Sequence, residues 1–259
     1  MELFYLTRKQ MAALLMSLQG ISCKTPLAVL QEAWAKSHRA EIQGGKSFGA
    51  FISTSLPPIF EKIIKTKVQN DGFSLTEIVS LGNQIEYTHF SITTVQNWVK
   101  RDFKDLIGSP QVGKKYSIKQ TAVLFIIDDL KATLDFESIR KLLTLLFQSP
   151  DEDSDDLISP LQLYALYSSI FEEMDQNNDQ VLDLSGHDIG RRNHDHMLEQ
   201  LIKQRADDFT DSLDGLSEEQ KEAVSNTIFI AMVSVQTTYF QSLARRFLNA
   251  TLFLQNLQS

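Results

Sequence analysis

Cysteine is nearly missing from this 259-residue chain: Cys23 is the only one. That excludes an internal disulfide and any zinc site built from several cysteines, and it fits a reducing compartment. Glycine (11) and proline (6) are scarce, so helical sequence is seldom interrupted, and Leu, Gln, Lys and Glu are plentiful. Long apolar runs are missing too. No stretch reaches the roughly 18 residues that a spanning helix needs. The run Met11–Leu18 follows Arg8-Lys9 and precedes Gly20-Ile21-Ser22-Cys23, faintly like an export signal with a lipoprotein cleavage box. However, Glu2 comes before the basic pair, and Met11, Leu14, Leu15 and Leu18 fall at helical spacing. The expectation is a cytoplasmic protein with no membrane contact. No internal repeat is evident, and no Ser/His/Asp or Cys/His arrangement suggests nucleophilic catalysis.

What is present is ordinary in amount but uneven in placement. Apolar residues make up 42% and charged residues 22%, enough for a sizeable core, and the length suggests two domains. The net charge of −8 hides a division. Residues 151–259 hold 20 Asp/Glu against 7 Lys/Arg, whereas residues 1–150 hold 13 acids against 18 bases. Asymmetry of this kind points to a polyanion-binding part joined to one that avoids polyanions.

Capping chemistry marks the helices. Thr7 with Gln10, Ser74 with Glu77, Ser117 with Gln120 and Ser217 with Gln220 are all capping boxes. Thr25-Pro26 and Pro57-Pro58 open two more helices, since proline suits a first turn. Further helices are expected at about 160–174, 194–212 and 217–255. In the last of these Ile228, Met232, Val235, Tyr239, Leu243 and Phe247 recur on one side. This helix is read as core, as a dimerisation seam, or as the lining of a pocket for a small-molecule effector. The acidic run Ser149–Asp156 is the expected boundary. It separates an N-terminal helical region (1–70) and a central module (71–148) from a C-terminal helical region (157–259).

The central module carries the functional signal. A short helix from Ser74 is followed by a second, capped by Ser91 and carrying Ile92, Val95, Trp98 and Val99 as its apolar side. That order is the helix-turn-helix pattern. The segment Leu106–Lys115, punctuated by Gly108, Pro110 and Gly113, is expected to form a small β-hairpin, a wing. Ser91, Thr93, Thr94, Gln96 and Asn97 offer hydroxyls and amides able to reach phosphates or base edges, and Gln and Asn can pair with adenine bidentately. Between Lys100 and Lys119 stand six bases, including Lys100, Arg101, Lys104, Lys114 and Lys115, against two acids. These would supply the salt-dependent phosphate term.

The same stretch resembles the MerR-like winged helix-turn-helix regulators. Phe90-Ser91-Ile92-Thr93-Thr94-Val95-Gln96-Asn97-Trp98 is similar to that family's opening of the second helix. Leu106-Ile107 through Lys114-Lys115-Tyr116-Ser117 is similar to its wing, and Phe136–Leu143 to the helix that follows. About 70 residues precede the module here, whereas MerR-like proteins usually begin with it, and positions usually basic are Thr93, Thr94 and Gln96. The whole chain also resembles an uncharacterised bacterial family that embeds this module between helical flanks. The resemblance implies a mostly α-helical, homodimeric regulator of transcription. It would bind double-stranded DNA without a cofactor and without catalysis, with Ser91–Asn97 in the major groove and Lys114, Lys115 and Tyr116 on the adjacent backbone. Its dimer would form through the C-terminal helices.

Two other classes compete. One is a protein-interaction scaffold whose helix-turn-helix no longer touches DNA. The other is a P-loop nucleotidase, since Ala40–Ser47 fits a loose Walker A pattern and Val123–Asp129 mimics a Walker B strand. A P-loop must follow a buried strand, and Leu27–His38 reads as helix instead. Asp175–Asp179 starts like a calcium loop but has Gln180 where glycine is required and Gly186 in place of the closing Glu. His187, His194 and His196 cluster with Asp188 and Asp195, but His194 and His196 at i, i+2 do not share a helix face. No metal site is expected.

Overall fold

The computed structural model describes residues 4–38, 56–65, 72–148, 150, 155–176, 194–211, 213 and 215–256. The chain is mostly α-helical. Among the described residues there are eleven α-helices, one π-helical turn and no β-strand. Two compact units are present, one formed by Met1–Phe125 with Ser159–Ser168, the other by Ile126–Ile158 with Ser169–Ser259.

The first unit begins with helix α1 (Arg8–Leu18) and helix α2 (Pro26–Ser37), packed together through Met11, Leu14 and Leu15 from one and Val29, Leu30 and Trp34 from the other. Helix α3 (Pro58–Lys65) adds Phe60, whose ring meets Phe4 edge-on with centroids 5.8 Å apart. All four capping boxes form. At α1, for instance, the Thr7 amide donates to Gln10 Oε1 at 2.9 Å and the Gln10 amide donates to Thr7 Oγ1 at 3.2 Å. The segment 26–37 is helical, as is Val123–Asp129, so the P-loop reading lacks the strands it needs on either side. Its Ala40–Ser47 loop lies outside the described residues.

Helix α4 (Leu75–Gly82) and helix α5 (Ile92–Asn97) follow, joined by residues 83–91. The joint is fixed by side chains imitating backbone. Asn83 Nδ2 donates to the Phe90 carbonyl at 3.1 Å, and the Phe90 amide donates back to Asn83 Oδ1 at 2.8 Å. Gly82 is needed here because a Cβ would lie 2.5 Å from the Phe90 ring. The N-terminal segment braces the same joint. Leu6 pairs with it as an isolated parallel bridge, its amide donating to the Gln84 carbonyl at 2.7 Å and its carbonyl accepting from the Glu86 amide at 3.0 Å.

After α5 the helix loosens into a π-turn (Trp98–Asp102), closed by the Phe103 amide on the Trp98 carbonyl at 2.8 Å, before the short helix α6 (Lys104–Ile107). In an α-helix, residues five apart point about 140° away from each other. The π-turn instead brings Trp98 and Phe103 together, ring centroids 6.2 Å apart, and both are buried. Phe90 packs on Trp98 and on Phe125, extending one aromatic wedge under α5. Helix α7 (Ile118–Leu130) is buried on every side from Gln120 to Leu130, not only along the Val123, Ile126, Ile127 and Leu130 stripe.

The second unit holds helix α8 (Phe136–Leu146), capped by Asp135, the C-terminal part of helix α9 (Pro160–Gln176), helix α10 (His194–Thr210) and helix α11 (Glu218–Asn256). Helices α10 and α11 pack against each other, and Ser225 Oγ donates to Asp207 Oδ1 at 2.7 Å. Thr133 and Ser234 share a hydrogen bond of 2.5 Å, which ties the α7–α8 turn to the middle of α11. Val224, Ile228, Ala231, Met232 and Val235 form the buried side of α11.

Candidate nucleic-acid interface

The DNA-binding residues expected from the sequence are placed in several different ways, with Lys115 half-buried. Thr93, Gln96, Asn97 and Lys100 are all exposed, while Val95, Trp98 and Val99 are buried. The first four recur at i, i+3, i+4 and i+7, so they form one outward stripe, and the buried three anchor the opposite side. Among the described residues no side chain of these four has a hydrogen-bond or ion-pair partner within the chain, and the same holds for the exposed Lys104 and Lys114 side chains. Ser91 and Thr94 instead serve the helix. The Thr94 amide donates to Ser91 Oγ at 3.1 Å, and the two hydroxyls lie 2.7 Å apart. This cap satisfies one of the free amides at the start of α5.

Arg101 is exposed but tied to its neighbour: Nε donates to Asp102 Oδ1 at 2.7 Å. That hydrogen bond, then the nearby charge, holds the guanidinium further above its ordinary range.

The expected β-hairpin takes a smaller form. Leu106 and Ile107 belong to α6, so they are helical and not part of a strand. What remains is a tight turn at Val112–Lys115, with reciprocal amide–carbonyl bonds of 3.0 Å in each direction. Gly113 takes a positive φ of 63° and Lys114 does not, the arrangement of a type II′ turn. The ladder stops there because Tyr116 pairs elsewhere. Its amide and carbonyl exchange bonds with Phe73, both 2.8 Å. Gly72 makes this approach feasible: its φ is 57°, and a Cβ there would sit 2.6 Å from the Tyr116 carbonyl oxygen.

Tyr116 itself is only 8% exposed, and burial pushes its phenol above the ordinary value. It packs the base of the turn, whereas Lys114 at the tip faces solvent. The turn is tied back by Gln120, whose Nε2 donates to the Ile107 and Ser109 carbonyls, each at 2.7 Å, while Ser117 Oγ donates to Gln111 Oε1 at 2.8 Å. Residues Asn83, Gly72, Gly82 and Gln120 therefore position the surface without belonging to it. Only the Ser117–Gln120 cap signalled any of them in the sequence.

The other candidates add little. His187 and the remainder of 177–193 lie outside the described residues, and among the described residues no three His, Cys, Asp or Glu side chains gather in a group able to hold a metal. No described helix is long and apolar enough to cross a membrane.

These features define a mostly α-helical protein that presents a short polar and basic helical segment over an aromatic wedge. The chain belongs to the family of the uncharacterized protein YkrK of Bacillus subtilis (strain 168). The two are 33% identical over 247 residues, covering 95% of this chain and 97% of that protein. Residues 65–169 match a domain of unknown function, DUF1836, which includes the whole α4–α7 region. No solved structure matches the chain.

Proposed function

We propose that this chain is a sequence-specific regulator that binds double-stranded DNA through α4–α5 as a helix-turn-helix, with the 112–115 turn as a reduced wing. It acts by binding and not by catalysis. The observation that carries this reading is the stripe Thr93, Gln96, Asn97 and Lys100, exposed and without partners inside the chain, on a helix locked from behind by Trp98 and Phe90. A backbone fixed in this way lowers the ordering cost that a groove reader meets on binding. Lys100, Lys104 and Lys114 lack carboxylate partners among the described residues, which supports phosphate contact over the scaffold reading, where acids would cover this face.

The test is binding of purified protein to duplex DNA across a salt series. Lys114→Ala with Lys115→Ala should weaken binding to all sequences and flatten the log–log salt slope by about 1.8 if each lysine neutralises one phosphate. No binding at low ionic strength removes the proposal, and an unchanged slope removes the wing from it.

Pairing of two copies through the end of α11 belongs to the same proposal. Phe247, Leu248, Leu252 and Phe253 are 48–64% exposed on that helix, an unusual concentration of apolar surface. A paired reader suits two-fold DNA sites. Sedimentation should show a dimer that Phe247→Asp with Phe253→Asp converts to a monomer. A wild-type monomer at working concentration would overturn this part.

A further inference from the structure

Resting on the DNA-binding reading above, we infer that α5 selects adenine in the major groove, with Gln96 and Asn97 as the specificity-determining residues. Helix α5, Ile92–Asn97, contains no Arg or Lys, and those are the side chains that read guanine by donating to its O6 and N7 acceptors. Besides Thr93, the exposed side chains of α5 are Ile92, 37% exposed, and two carboxamides, Gln96 and Asn97, which are the ones able to form hydrogen bonds with a base edge. A carboxamide presents one donor edge and one acceptor edge in a single plane, which matches the N7 acceptor and N6 donor of adenine. Against guanine the same plane would set its own oxygen towards a second acceptor. Thr93 adds a methyl group one turn away, suited to the thymine methyl, and its hydroxyl is not used in the cap.

The bases on this segment are placed for a different task. Lys100 and Arg101 sit on the π-turn and Lys104 on α6, all C-terminal to the amides. Arg101 Nε is already engaged by Asp102 at 2.7 Å, which removes one of the donors it would offer to a guanine edge. The division of labour is therefore amides for bases and lysines for phosphates. The rotation of the amides about the helix axis is set by buried Val95 and Trp98, so the choice of base is built into the packing.

The experiment is selection of bound duplexes from a random pool by the full chain, followed by titration of the enriched duplex with 7-deazaadenine replacing each enriched adenine. That change removes N7 and leaves Watson–Crick pairing intact. Enrichment of A·T pairs at fixed positions is expected, with a loss of about 5- to 150-fold per adenine modified at a bidentate contact. In Gln96→Ala and Asn97→Ala the same modification should lose its effect at one position each. Gln96→Glu should move the preference at its position towards cytosine, whose N4 amino group donates. Both sites are exposed, and circular dichroism of each variant confirms that it remains folded. A G·C motif, or indifference to 7-deazaadenine in a protein that binds duplex tightly, overturns the inference and leaves the DNA reading intact. Failure of wild type to bind any duplex at low salt overturns the DNA reading itself.

Discussion

Helices α5 and α11 both leave side chains uncovered, and they do so in opposite ways. Helix α5 is six residues long, exposes Thr93, Gln96 and Asn97 beside Ile92, and is held by a cap, an aromatic wedge and a π-turn. Helix α11 is 39 residues long, and its first half is packed while its end exposes Phe247, Leu248, Leu252 and Phe253. A short helix is marginal alone, so α5 depends on its surroundings for its existence. The long one carries its own cooperativity and can continue beyond the core that supports it. The difference shows that exposed polar side chains can sit on a segment held rigid from outside, whereas exposed apolar ones sit where a helix extends past its packing.

Mutations can break or sharpen that contrast. The largest loss is expected at Trp98→Ala, about 3–5 kcal/mol by urea unfolding, since the ring is 1% exposed between Phe90 and Phe103. A cost below 1 kcal/mol would show that α5 is not held by the wedge. Gly72→Ala should cost roughly 1–3 kcal/mol, because its positive φ and the 2.6 Å approach to the Tyr116 carbonyl both resist a Cβ. An equal loss at Gly113, where a Cβ meets nothing within 4 Å, would mean that φ alone matters. Ser74→Ala should cost about 1 kcal/mol through the α4 cap, with Ser74→Asp largely preserving stability.

Phe247→Ala, by contrast, should change the stability of the isolated chain by no more than about 0.5 kcal/mol, as expected for an uncovered position. A larger effect at concentrations where the chain is monomeric would place Phe247 in the intramolecular core.

The smallest effect concerns acid stability. The Asp135 carboxyl is held below the usual carboxylate range, first by the Ser138 backbone amide and then by the Ser138 hydroxyl. A depressed folded pKa contributes stability that is present above the unfolded value of about 3.9 and is lost as pH falls through the folded value. Asp135→Asn keeps the cap and should flatten the acid limb of a pH–stability curve below about pH 4. If the two curves coincide, the cap is not charged in the folded protein.

Much of the helical framework was legible because it is written in local chemistry. The Ser74/Glu77, Ser117/Gln120 and Ser217/Gln220 boxes sit where the helices begin, and the expected 217–255 helix is observed as Glu218–Asn256. The expected wing was less accurate. Glycine and proline in 108–113 do mark a turn, but Leu106 and Ile107 are recruited into α6, and Tyr116 gives its backbone to Phe73, more than 40 residues away in sequence. No local pattern announces such a pairing. The wedge was half visible: Trp98 and Val95 follow the helical period, whereas Phe103 joins them only because the π-turn changes that period.

The sequence by itself determined where helices start, that Val95, Trp98 and Val99 face inward (Ile92, expected with them, is exposed), and that the outer side of α5 carries amides and hydroxyls instead of charge. Capping and periodicity act over three or four residues, so they can be read without a fold. The tertiary structure alone decided that Tyr116 is buried while Lys114 is not, and that Ser91 and Thr94 serve the cap while Gln96 and Asn97 remain available. It also decided that α7 is enclosed on every side and that the apolar residues at the end of α11 stay uncovered. Those outcomes depend on which distant residue arrives as a neighbour, and burial is a property of that arrival.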